Sequence, residues 1–235
     1  MTSPPVLHIA NVWKNYQSLR PLRLRELSIP AGERVAISGL DAGAAEVLVN
    51  LVTGASLPDE GEIQVLGRST AAIADGEEWL AWLDRFGIVS PRAVLLDAAS
   101  LLQNLVMPFT LQIDPPLAED AARARALGLE MSIDEQWIDK PIAGLPPELR
   151  IRAHLARAVA LNPVLLILEH PTVGLDASHI RTLAADVARV TEARGLATLI
   201  ISEDPEFCRN AAHRSYSLNG ATGELRIRKP RLFGF

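Results

Sequence analysis

The chain has 235 residues, with 23 Lys and Arg against 28 Asp and Glu and a formal net charge of −5 at neutral pH. That balance excludes a protein whose affinity comes from neutralising phosphate backbones, because such a surface needs an excess of basic groups, and no nucleic-acid partner is expected. Hydrophobic residues make up 49% and charged ones 22%, which excludes a disordered chain; a chain of this length hides roughly 70–75% of its unfolded surface on folding.

Leu7–Ile9 and Leu22–Ile29 read as strands of an N-terminal antiparallel β region. Pro30-Ala31-Gly32-Glu33 is a turn, and Arg34–Ser38 a mostly apolar strand after it. Gly39-Leu40-Asp41-Ala42-Gly43 follows, and then Ala44–Thr53, where Val47, Leu48, Leu51 and Val52 recur at helical spacing. Strand, glycine turn and helix open an α/β unit whose loop lies at the C-terminal end of a central strand. Gly39 and Gly43 also have a purely structural reason to be there, since so tight a turn favours glycine with or without a ligand. Pro58-Asp59-Glu60-Gly61 turns into an edge strand at Glu62–Leu66, Trp79 and Trp82 share a helix face as packing residues, and Phe86–Val89 is a further strand.

From Pro91 to about Ala143 the pattern is helical. Leu149–Leu161 is an amphipathic helix whose Arg150, Arg152 and Arg157 read as a solvated face paired with nearby acids, and His154 and His179 read as surface residues. Val164–Leu168 and Leu196–Ile201 are continuous apolar runs, as buried parallel strands are. Asp176 suits the N-cap of a helix over Ala177–Ala193, and Pro205–Ala212 is a short helix carrying Cys208 in the core. The expected fold is therefore α/β, with a parallel central sheet, an N-terminal antiparallel β subdomain and an inserted helical subdomain. Its expected divisions are 1–90 with 144–222 for the core, 91–143 for the insertion, and 223–235 for a basic tail with two aromatics.

Cys208 is the sole cysteine, so no intrachain disulfide forms and a reducing compartment is expected. No apolar run approaches the roughly 18–20 residues that span a bilayer, and the opening Met-Thr-Ser-Pro-Pro-Val lacks the basic and apolar regions of a secretory signal. A cytoplasmic chain that reaches any membrane through a partner is expected.

The order of these pieces resembles the ATP-binding cassette (ABC) ATPase subunits of transporters, over essentially the whole chain. The most specific stretch is Arg152–Asp176, with Ala156-Arg157-Ala158, Asn162-Pro163, Leu165–Leu168, Pro171-Thr172 and Gly174-Leu175-Asp176 in the register of signature helix, Walker B strand and D-loop. Gly32-Glu33, Pro58–Gly61 and Asp204-Pro205-Glu206 also fall in register. The resemblance implies an ABC-type P-loop core and a permease partner; the 91–113 segment would form the groove for it. Leu95, Leu96 and Met107 are expected as its exposed members, and Asn104–Phe109 is similar to cassettes of lipid or lipoprotein traffic. A second, active cassette or a second copy of the chain is the other implied partner.

Most positions that carry chemistry in the family are substituted. The phosphate loop, Gly-x-x-x-x-Gly-Lys-Ser/Thr, has Gly39 at its first glycine but Ala44, Ala45 and Glu46 at the second glycine, the lysine and the hydroxyl. Glu169-His170 stands for the Walker B Asp-Glu pair, Pro91 for the Q-loop glutamine and Glu203 for the switch histidine. The signature becomes Leu145-Pro146-Pro147-Glu148, and Tyr16 fits the adenine-stacking aromatic.

Losing the lysine forfeits charge-assisted hydrogen bonds of roughly 1.5–3 kcal/mol each, and a carboxylate about 4 Å from a phosphate oxygen repels it by roughly 4 kcal/mol at an effective dielectric near 20. Asp41 adds a second negative charge, and Glu46, read into the first helical turn, is expected to satisfy the helix dipole itself. Pro146 and Pro147 remove two N–H donors from the signature loop. These substitutions point to a degenerate cassette, a pseudo-ATPase acting as a structural or regulatory subunit of a membrane transport complex, with no cofactor and no catalytic residue. The alternatives are an ATP-binding subunit with divergent motifs, holding ATP and Mg²⁺ with Glu169 as a metal ligand, and a stand-alone interaction module. Convergence of Asp41, Glu46, Glu169 and His170 into a metal site of another kind is the remaining alternative.

Overall fold

In the computed structural model, which describes residues 4–228, the N-terminal strand β1 runs over Leu7–Lys14, well past Ile9. It pairs antiparallel with β2 (Leu22–Ile29) and with β4 (Glu60–Val65). The alternation breaks after Ala10 because the strand bulges there: Asn11 takes a φ of 50° and the register to β4 shifts between Ala10 and Trp13. Gly61 faces that bulge at a φ of 85°, and a Cβ on it would lie 2.3 Å from the Asn11 carbonyl oxygen, so only glycine fits opposite the extra residue. The two-residue β5 (Arg68–Ser69) completes a four-stranded sheet in the order β2-β1-β4-β5.

The second sheet has six strands in the order β10-β9-β3-β8-β7-β6. Arg34–Ser38 forms β3, Phe86–Val89 β6, Leu165–Glu169 β7 and Ala197–Ile201 β8. Arg214–Asn219 is β9 and Glu224–Ile227 is β10. Strands β3 and β6 to β9 are parallel, but β10 runs antiparallel to β9, so the central sheet is mixed where a parallel one was expected. Residues 224–227 therefore belong to the sheet and are not a loose tail; the two C-terminal aromatics lie outside the described residues.

Between strands lie α1 (Ala42–Val52), α2 (Gly76–Leu83), α3 (Leu101–Val106), α4 (Ala118–Glu130), α5 (Glu135–Ile138), α6 (Pro147–Val159), α7 (Ala177–Arg194) and α8 (Pro205–Ala211). The core forms two clusters, and the strand period of two sorts residues between them. Val35, Ile37, Leu165, Ile167 and Ile201 join α1 and the antiparallel sheet. Ala36, Leu166, Leu168 and Ile200 join α3, α4, α6, α7 and α8. Both faces of the parallel strands are covered, which is why they read as unbroken apolar runs. Cys208 is buried, and burial raises its thiol pKa to about 11.

Arg152 departs from the solvated face expected of it. It is 8% exposed and donates to Asp186 at 3.0 Å, while the other Asp186 oxygen accepts from Ser132 (2.8 Å) and Arg189 (3.0 Å). Removing one member of such a buried pair strands the other's charge. Asp186→Ala should lower unfolding stability by about 3 kcal/mol in urea titrations, and replacing Arg152 and Asp186 together by Met and Leu should recover most of that loss.

Candidate functional site

Parallel pairing sets the C-terminal ends of β3, β6, β7 and β8 side by side: Ile37 is level with Ile201, Ile201 with Glu169, and Leu168 with Val89. The segments leaving those ends carry Gly39, Pro91, His170 and Glu203, so the fold brings together positions that the sequence spreads over more than 160 residues.

At the turn after β3, Gly39 has a φ of 91°, and a Cβ there would lie 2.6 Å from the Leu218 carbonyl oxygen. Helix α1 starts at Ala42, and Asp41 is its N-cap: the carboxylate accepts from the Ala44 N–H at 2.8 Å. Glu46 is a full turn further in, and its carboxylate lies 3.6 Å from Arg92, so the cap expected of Glu46 is made by Asp41. Ala45 is wholly buried against the apolar core. The Tyr16 ring packs beside the loop, 3.7 Å from where a Gly43 Cβ would be.

Glu203 crosses from the end of β8 to the same turn. Its Oε1 accepts from the Gly39 N–H at 2.6 Å and from the Leu40 N–H at 3.2 Å. A turn of this kind, at a helix N-terminus, collects N–H groups that favour an anion. In this chain the anions on the Gly39, Leu40 and Ala44 donors are two of its own carboxylates.

Glu169 ends β7 at 1% exposure, and Arg92 meets it with a bidentate pair at 2.6 and 2.7 Å. Such fork-to-fork pairing holds both oxygens of the carboxylate. Arg92 is one residue beyond Pro91, in the exposed turn after β6, and it bridges Glu169 to Glu46. Sequence reasoning missed Arg92, and its only signal was its place beside the Q-loop position. His170 has a φ of 44° and a buried Nε2 with no hydrogen-bond partner. Asp41, Glu46, Glu169 and His170 are not gathered around a common point: Asp41 faces backbone and Glu169 faces Arg92. Among the described residues no group of three His, Cys, Asp or Glu side chains is placed to hold a metal ion.

The remaining predicted positions form a second group. Leu145 is buried, Pro146 is the N-cap of α6 and Pro147 its first residue, and Glu148 is in the first turn. Asp176 caps α7, accepting from the Ser178 hydroxyl and from the Ser178 and His179 N–H groups, which hold its pKa near 2. His179 is more than a surface residue: Nδ1 lies 2.9 Å from Asp176, and Nε2 lies 3.7 Å from Glu148, tying the starts of α6 and α7 together. Among the described residues no hydrogen bond or ion pair joins this group to the β3 turn.

The groove under α6 has a volume of about 390 Å³ and is lined by Phe86, Met107, Pro108, His154, Arg157 and Leu161 among others. Of the residues expected there, Met107 lines it; Leu96 is exposed but does not, and Leu95 is buried in the core. The buried Glu169 depends on Arg92 for compensation. Arg92→Ala should therefore cost about 3 kcal/mol in urea unfolding, and adding Glu169→Leu should return much of it.

No family model matches the chain. It is 30% identical over 212 residues to the lipoprotein-releasing system ATP-binding protein LolD of Chromohalobacter salexigens, covering 89% of this chain and 86% of that protein. It is 29% identical over 209 residues to LolD of Alcanivorax borkumensis, covering 87% and 91%. Among solved structures, the dimeric post-hydrolysis state of the ATP-binding cassette MJ0796 with ADP and Pi aligns at a TM-score of 0.77 and 24% identity, covering 97% of this chain and all of that one. The cbiO1 cassette of Clostridium perfringens aligns at 0.80 and 21% identity, covering 95% and 87%. The 30% identity to a LolD protein over nearly the whole length, on a fold shared with solved cassettes, makes the chain a member of the ABC transporter ATP-binding cassettes.

Proposed function

We propose that the chain is the cassette subunit of a membrane transport complex of the lipoprotein-releasing type, and that its own nucleotide site is closed by its own side chains. What supports the first half is the likeness to the LolD proteins, whose name assigns them to lipoprotein release. The chain works at the cytoplasmic face, seated on a permease through the α6 groove, to which 91–113 contributes Ala93, Met107 and Pro108. Among the described residues no helix is long and apolar enough to cross a membrane, so contact with the bilayer falls to the partner.

The single observation that carries the second half is Glu203 on the Gly39 and Leu40 N–H groups. A triphosphate needs those donors, and it would meet a fixed carboxylate there. Asp41 holds the Ala44 donor, and Glu169 has each oxygen on Arg92, whose guanidinium stands beside it as a competing cation. The residues present do not fit a magnesium triphosphate in this arrangement. ATP turnover is then supplied by a second cassette in the complex, and this chain contributes shape and docking.

A second reading, an ATP-binding subunit with divergent motifs, is favoured by the names of the relatives, all ATP-binding proteins. It requires Glu203 to swing off the turn and Arg92 to release Glu169.

Calorimetric titration of the isolated chain with Mg-ATP separates the two. The closed site predicts a dissociation constant weaker than about 1 mM, equivalent to less than about 4 kcal/mol of binding free energy. Substituting Glu46→Ser and Glu203→His together should tighten binding at least about tenfold. Micromolar binding by the unmodified chain would sink the closed-site reading and leave the transport role standing.

A further inference from the structure

At the other edge of the central sheet from the α6 groove, α8, β9 and β10 line a cleft of about 260 Å³. Its lining holds Arg209, Arg214, Arg228 and His213, and no acidic residue. Arg214 is engaged: its Nε donates to Glu33 at 2.7 Å, and its other donors reach the Tyr216 hydroxyl and the Ser28 carbonyl. His213 is engaged on one side, where Nδ1 accepts from the Arg34 N–H at 3.3 Å. Arg228 gives its backbone N–H to the Ser215 carbonyl at 2.8 Å. Neither its guanidinium nor that of Arg209 has a hydrogen-bond or ion-pair partner among the described residues.

The acids of the surrounding elements are committed elsewhere. Asp204 caps α8 through the Phe207 N–H at 2.7 Å, Glu206 faces Arg181 at 3.4 Å, and Glu203 is on the Gly39 turn. Glu192 lies 2.9 Å from Arg34, and Glu224 of β10 lies 3.0 Å from Arg25. The stretches 1–3 and 229–235, outside the described residues, contain no Asp or Glu. The carbonyls at the end of α8, which would repel an anion, are covered: Cys208 accepts from the Ala212 N–H and Ala211 from Arg34. Burial is the largest influence on the Cys208 thiol, raising its pKa, and the charge of Arg228 is the largest opposing it, so this guanidinium acts on the inner wall of the cleft. Two like charges on one concave surface without a counter-charge raise the local potential, and an anion relieves it. Guanidinium forks match the oxygens of a phosphoryl group two at a time.

We infer that this cleft binds a phosphate-sized dianion, free or as the end group of a small phosphate ester, with Arg209 and Arg228 as the paired charges. Its volume is below the roughly 300–1,000 Å³ of sites that enclose a drug-sized ligand, so a phosphoryl group fits and a whole nucleotide does not. The site is distinct from the β3 turn, where Glu203 and Asp41 occupy the anion-binding donors.

The test is calorimetric titration of the full chain with sodium phosphate, against sodium chloride at matched ionic strength. Saturable binding is expected, with a dissociation constant below about 1 mM. Arg209→Gln and Arg228→Gln should each weaken it about tenfold, as for the loss of one charge-assisted contact. Arg226→Gln removes the same charge from a neighbouring β10 position outside the cleft lining, and should change binding by less than about twofold. Glycerol 3-phosphate separates the two sources: affinity equal to that of phosphate assigns the site to esters, and at least about tenfold weaker binding assigns it to free phosphate. Should a variant not fold, the ¹⁵N shifts of the Arg209 and Arg228 side chains on adding phosphate to the unmodified chain decide the matter alone. No saturable binding, equal losses in all three variants, or a phosphate affinity untouched by Arg209→Gln and Arg228→Gln would each overturn the site.

Discussion

A carboxylate from the end of one parallel strand satisfies two backbone N–H groups at the turn after its neighbour: Glu203 on Gly39 and Leu40. The turn itself comes from the strand-to-helix reversal, which gathers N–H groups whether or not anything binds them. Such donors must be met by something, and here the nearest acceptor is covalently part of the fold. With Asp41 on Ala44, the positive end of α1 is compensated internally.

The same economy of charge governs the neighbouring strand. Glu169 ends β7 in a nearly dry position, and a buried carboxylate without a partner is costly. Arg92 supplies the compensation and reaches on to Glu46. Glu46 and Glu169 share one guanidinium, so this part of the strand edge carries an excess of negative charge with its cation already engaged. In the α6 groove, by contrast, Arg157 forms no ion pair among the described residues, and its recorded partner is the Val94 carbonyl.

Elsewhere the polar groups that survive burial are linked into networks. Arg152, Asp186, Ser132 and Arg189 connect α6, α7 and the turn after α4, and His179 joins the caps of α6 and α7 through Asp176 and Glu148. The second network braces the helix starts that the family resemblance places at the signature and the D-loop, while the first joins the middles of α6 and α7. Pro146 and Pro147 open α6 without N–H groups of their own, so the acidic side chain there turns to His179 in place of a backbone donor.

The apolar runs at Val35–Ile37, Leu165–Leu168 and Ala197–Ile201, the glycine turn, and the register of the Arg152–Asp176 stretch were legible in the sequence, because strand burial and turn chemistry are local and periodic. The sequence alone therefore determined an α/β cassette fold, and only the tertiary structure decided what Arg92, Glu169 and Glu203 contact. Arg92 finds Glu169 across 77 residues and Glu203 finds Gly39 across 164, and β10, four residues long, is a strand only because β9 is there to pair with it. Partner choice over such distances is set by which strand ends the sheet lays side by side, and no local pattern of charge or hydrophobicity encodes that.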